Sequence, residues 1–89
     1  MNAETGKNAT VHRMVLEAHV CPYGAKAVEL LTREGYIVDD QWLTTRVQTE
    51  AFKAEYAVQT TPLVFIDRVR VGGYDDLCRH LGVSLSGVE

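Results

Sequence analysis

Cys21-Pro22-Tyr23-Gly24 stands where an apolar run gives way to a helical pattern. Pro22 suits a first helical turn, because its missing N–H has no partner there and its φ is already helical. A cysteine just before that turn faces the positive end of the helix dipole and backbone N–H groups without intrahelical acceptors. These stabilise an anion, and cysteines so placed generally ionise more readily than a free thiol. Cys21 is therefore the candidate nucleophile. Gly24 holds the position that a C-x-x-C redox pair fills with its second cysteine. The loop has one thiol and no resolving thiol beside it.

Outward from this loop the chain alternates between two periods. Residues 11–18 (VHRMVLEA) are short and apolar at the centre and predict a strand. Residues 22–34 predict a helix with Ala27, Val28 and Leu31 as its stripe and Gly35 as its stop. Residues 36–43 (YIVDDQWL) predict a second strand. Residues 44–58 predict a second helix with Val47, Ala51, Ala54 and Val58 on its apolar face and Thr49 as a cap. Pro62 opens Leu63-Val64-Phe65-Ile66, a continuous run expected of a buried strand. Asp67-Arg68 turns it back into Val69-Arg70-Val71 as a hairpin. After Gly72-Gly73, the residues Tyr74, Leu77, Cys78 and Leu81 recur at helical spacing, and Gly82 ends that helix. The order is β-α-β-α-β-β-α. The first two strands are expected to be parallel across their helical crossover. The fold class is α/β: a four-stranded mixed sheet flanked by three helices.

Size and charge narrow the function. At 89 residues the chain fits one domain, read as residues 11–89 behind a flexible leader of residues 1–10. Net charge is −3 with no run of Lys and Arg, which argues against nucleic acid as a partner. No stretch approaches the roughly 18 apolar residues of a membrane span. Two cysteines do not make a secreted disulfide framework, so a cytoplasmic setting is expected. His12, His19 and His80 share no metal-ligand spacing with Cys21 or Cys78, and no metal site is expected.

Three separated motifs together resemble the glutaredoxin family. Cys21-Pro22-Tyr23 resembles the start of its CPYC active site. Thr60-Thr61-Pro62 resembles its TVP motif, whose proline is cis. Gly72-Gly73-Tyr74-Asp75-Asp76-Leu77 is similar to its GGxDDL motif. The resemblance covers residues 11–82 and implies a thioredoxin-like fold. It implies a glutathione-dependent thiol–disulfide oxidoreductase, with glutathione as co-substrate and Cys21 as the catalytic thiol. Pro22, Tyr23 and Gly24 form the active-site loop. Thr60, Thr61, Pro62, Gly73, Tyr74, Asp75 and Lys53 are the implied glutathione-binding residues. In that scheme Thr61 pairs its backbone with the cysteinyl unit. The helix start at Tyr74 and Asp75 takes the γ-glutamyl end. The partners implied are glutathione and glutathionylated or disulfide-containing proteins. A monomer is expected, with a disulfide-linked dimer as a product of oxidation.

Gly24 departs from the dithiol pattern and points to a monothiol cycle of deglutathionylation. Ala18 departs from a lysine that the family often carries to bind a glutathione carboxylate; His19 substitutes for that charge only when protonated, and Lys53 or Arg46 is the alternative candidate to hold the glycyl carboxylate. Two alternatives follow from the same resemblance. One is a [2Fe–2S] carrier bridged by Cys21 and glutathione in a dimer, which the bulk of Pro22 and Tyr23 disfavours. The other is a glutathione-binding adaptor without turnover. Cys78 lies on an apolar helical stripe and is expected in the core. Trp42, Phe52, Tyr56 and Phe65 are expected in the core or on the sheet face.

Overall fold

The computed structural model describes residues 7–83. In chain order these form β1 (Asn8–Leu16), β2 (His19–Val20), α1 (Pro22–Arg33), β3 (Ile37–Leu43), α2 (Arg46–Tyr56), β4 (Leu63–Ile66), β5 (Val69–Gly72) and α3 (Tyr74–Leu81). β1 is central. It runs parallel to β3, with Asn8 opposite Ile37 and Met14 opposite Leu43. On its other side it runs antiparallel to β4, with Ala9 opposite Ile66 and His12 opposite Leu63. β5 closes the sheet as a hairpin partner of β4. Asp67 and Arg68 make that turn, both at positive φ (54° and 72°), which matches the twist of the flanking strands.

The expected mixed sheet is therefore present, with one strand more than the four foreseen. β2 is two residues long and pairs Val20 with Val15 and His19 with Leu16. It arises because the chain doubles back at Glu17-Ala18 before entering α1. β1 also begins at Asn8, so residues 8–10 belong to the sheet and not to a leader. Residues 1–6 lie outside the described part of the chain.

Alternation along the strands separates two apolar layers. Side chains of successive strand residues point to opposite faces. Ala9, Val11 and Val64 face α1 and α3, where they pack with Ala27, Leu30, Leu31, Tyr74, Leu77 and Cys78. His12 and Phe65 face the other way, onto Phe52 and Tyr56 of α2. The face of α2 that meets the sheet is Thr49, Phe52, Lys53 and Tyr56, and not the stripe through Val47, Ala51 and Ala54. Val47 is 81% exposed. The cap of α2 is Thr45, whose Oγ1 accepts from Gln48 N at 3.0 Å; Thr49 is buried and donates its hydroxyl to Thr45 O at 2.8 Å. The aromatic residues outweigh the small aliphatic ones because two rings bury far more surface than alanines do.

β2, β3 and β5 each pair with a single neighbour among the described residues. Trp42, on the edge strand β3, is 55% exposed and not in the core.

Candidate functional site

Cys21 caps α1. Its φ and ψ (−67°, 120°) are extended, Pro22 follows at the first helical position, and the Cys21 side chain makes no capping hydrogen bond. The Cys21 N–H donates to Met14 O at 3.4 Å, so the loop is tied to the end of β1. The thiol is half-buried. Tyr23 projects from the first turn and is half-exposed. Its ring centroid is 6.1 Å from that of Tyr74, and the Lys26 ammonium lies 5.4 Å from its centre.

Beside this loop is an open cavity of about 490 Å³ lined by Tyr23, Thr60, Thr61, Pro62, Gly73, Tyr74, Asp75 and Asp76. The Thr61–Pro62 peptide bond is cis. Three stretches far apart in sequence thus converge: the start of α1, the entry to β4 and the start of α3. Gly72 is at φ +125°, where a side chain is strained, and a Cβ there would press into the Asp76 carboxylate. The start of α3 is built around Asp76. Its Oδ2 accepts from Gly73 N at 3.2 Å, and its Oδ1 accepts from Arg79 at 2.8 Å. Arg79 first, and then the Gly73 N–H, hold the Asp76 carboxyl below the usual carboxylate range. Asp75 and Asp76 are both exposed and both line the cavity, but Asp76 commits its carboxylate to Gly73 and Arg79.

Lys53 does not join this group. It sits on α2, 3.4 Å from Glu50 Oε2, and is not among the residues lining the cavity. Arg46 is exposed at the first position of α2, Ala18 is exposed in the turn and His19 is exposed on β2. Cys78 is fully buried. The phenol of Tyr74 is pushed up chiefly by burial and then by the adjacent Cys78 thiol.

A further residue stands at the site that no motif marks. Arg13 of β1 makes a forked ion pair with Asp40 of β3, Nε to Oδ1 at 2.7 Å and Nη2 to Oδ2 at 2.9 Å. The Trp42 ring lies 5.4 Å from the guanidinium carbon. The hydrogen bond to Asp40 raises the Arg13 guanidinium above its ordinary value against the cost of burial, and the nearby Cys21 adds to this. Arg13 also packs directly on Gly24. Among the described residues no group of three His, Cys, Asp or Glu side chains is placed to hold a metal ion. No helix among them is long and apolar enough to cross a membrane.

The architecture has counterparts among known proteins. The chain is 40% identical over 60 residues to glutaredoxin 1 of Rickettsia typhi, a match spanning 64% of this chain and 58% of that relative's length. The chain is thus similar to glutaredoxins, and it spans less than two thirds of the length of the curated relatives it matches. No protein-family model matches it. The glutaredoxin of Brucella melitensis superposes with a TM-score of 0.63 at 28% identity, over 84% of this chain and 80% of that one. Glutaredoxin 1 of Francisella tularensis, solved in complex with cacodylate, superposes with a TM-score of 0.73 over 85% of this chain and 93% of that one; at 19% identity this likeness speaks to fold alone. The fold class is thus the thioredoxin-like fold of the glutaredoxins.

Proposed function

We propose that this chain is a glutathione-dependent thiol–disulfide oxidoreductase that works with one protein thiol. The observation that carries the reading is the placement of Cys21 at the start of α1, next to a cavity lined by Thr61, the cis Pro62 and the opening turn of α3. An extended peptide-like ligand in that cavity meets the Thr61 backbone on one side. Its free carboxylate meets the N–H groups at the start of α3, a natural anion site. The Asp75 carboxylate supplies the opposite charge for an ammonium group.

The chemistry follows from one thiol. The Cys21 thiolate attacks the glutathione sulfur of a protein–glutathione mixed disulfide. A Cys21–glutathione bond forms, and the substrate thiolate leaves and takes up a proton. A second glutathione thiolate then attacks the glutathione sulfur held on Cys21. Oxidised glutathione departs and Cys21 is restored. One mixed disulfide and one glutathione give one protein thiol and one oxidised glutathione, so atoms and electrons balance. Direct reduction of protein disulfides has no internal resolving thiol here, because Cys78 is sealed in the core.

Intact mass spectrometry after exposure to oxidised glutathione tests the reading, on wild type, Cys21→Ser and Cys78→Ser. The expected result is one glutathione adduct on wild type and Cys78→Ser and none on Cys21→Ser, with turnover of a glutathionylated peptide lost in the same variant. Undiminished turnover in Cys21→Ser refutes it.

A further inference from the structure

Gly24 occupies the third position of α1, and its φ is not in the left-handed region. The backbone there suits any residue, and alanine is favoured over glycine in a helix. Space is what forbids a side chain. A Cβ on Gly24 would stand 2.7 Å from Arg13 Cβ, 3.1 Å from its Cδ and 3.4 Å from its Cγ. The shortest of these contacts is with an atom fixed to the backbone of the central strand, so it cannot be relieved by a rotamer change. The remainder of Arg13 is also held: Asp40 grips the guanidinium in a fork, Trp42 lies against it, and the side chain is only 12% exposed. The hydrogen bond from Cys21 N to Met14 O ties the start of α1 to the residue after Arg13, so the loop does not lift away independently.

The cap and third positions of a helix face each other across its first turn, which is what allows reciprocal capping there. A side chain at position 24 is therefore the one that would stand beside the Cys21 sulfur. We propose that Arg13 takes up that space and is a specificity-determining residue: its contact with Gly24 dedicates the active-site loop to one-thiol chemistry. Gly24 and Arg13 are then a matched pair, and restoring a cysteine at position 24 does not by itself restore a dithiol site. The proposal rests on the reading of Cys21 as the nucleophile, and its test separates the two.

Gly24→Ala is made in wild type and in Arg13→Gly, and thermal midpoints are compared within each background, so that loss of the Asp40 ion pair cancels. The midpoint is expected to fall in wild type and to rise in Arg13→Gly, a reversal of sign that helix propensity alone cannot give. Gly24→Cys is then treated with oxidised glutathione in both backgrounds and read by intact mass. In the single variant the glutathione adduct on Cys21 is expected to persist. In the double variant the introduced thiolate attacks the Cys21 sulfur, the new S–S bond forms as the bond to glutathione breaks, and glutathione leaves as a thiolate that takes up a proton. The adduct is then lost to an internal disulfide. A rise in midpoint for Gly24→Ala in wild type overturns the proposal, and this single variant decides the matter if Arg13→Gly does not fold. Closure of the internal disulfide in Gly24→Cys as readily as in the double variant overturns it too. Absence of any adduct on wild type overturns the reading of Cys21, while the stability comparison still reports on the packing pair.

Discussion

Replacing Phe52 by alanine is expected to loosen α2 while leaving the chemistry at Cys21 in place. Phe52 is 7% exposed, its ring lies 4.8 Å from His12 and 4.5 Å from Tyr56, and with the buried Thr49 it forms the centre of the α2 contact with the sheet. Removal of a buried Phe side chain costs about 3–5 kcal/mol. The lower end applies, because the helix lies at the surface and its neighbours can close part of the gap. About 3 kcal/mol is a large share of the roughly 5–15 kcal/mol by which such domains are stable. With a urea slope of about 1–1.5 kcal/mol per M the unfolding midpoint falls by about 2–3 M. The same change acts on His12. Burial holds its imidazole below the ordinary value, partly offset by Asp39. A neutral native imidazole and a more basic unfolded one mean that the unfolded state binds more protons, so stability falls as pH drops through about 6.5. The slope from this one group is at most about 1.4 kcal/mol per pH unit. Urea titrations at several pH values check both parts, and an NMR titration of His12 is expected to move upward in Phe52→Ala. A loss below about 1 kcal/mol, or a His12 titration unmoved by the variant, refutes the account of α2 as a helix held by its rings.

Asp40 is held below the usual carboxylate range chiefly by the Arg13 hydrogen bond. Its contribution is present above pH ~4, the unfolded value, and is lost as pH falls through the depressed folded value. Asp40→Asn should therefore flatten the acid limb of the stability curve below that pH, measured by denaturant melts. Thr45→Ala removes the cap of α2 and is expected to lower stability by about 1 kcal/mol without altering adduct formation on Cys21. Asp75→Asn removes the charge opposite a bound ammonium. Turnover assays are expected to show a several-fold rise in the glutathione concentration needed for half-maximal rate with little change in the limiting rate, and an unchanged requirement contradicts the placement of glutathione.

Much of the fold was legible because its elements are punctuated by strong local signals. Pro22, Gly35, Pro62 and Gly82 stop or start elements through backbone constraints that act within a residue or two. The strand Leu63–Ile66 and the helix Tyr74–Leu81 were placed to the residue. What failed depends on contacts distant in sequence. α2 offers two helical stripes, and only the position of His12 and Phe65 on the sheet decides for Phe52 and Tyr56. β2 was missed because Glu17-Ala18 carries none of the usual turn residues and two paired residues leave no period to read. Arg13 carries no local signal because its partner Asp40 is 27 positions away, and only the register of β1 against β3 brings them side by side. The cavity residues carry motifs in the sequence, whereas Lys53 is marked only by its charge and lies beside Glu50, away from the cavity lining.

The burial of Cys78 gives the chain an internal gauge. With none of its surface accessible, the thiol meets an alkylating reagent only in molecules that have opened. Cys21 meets the same reagent in the folded state. When closing is fast against alkylation, the rate at Cys78, divided by that of a free thiol, measures the population of open molecules, and it is obtained in the same tube and under the same conditions as the reactivity of Cys21. A substitution that alters function at Cys21 alone leaves this second rate untouched. One that works by loosening the fold accelerates it.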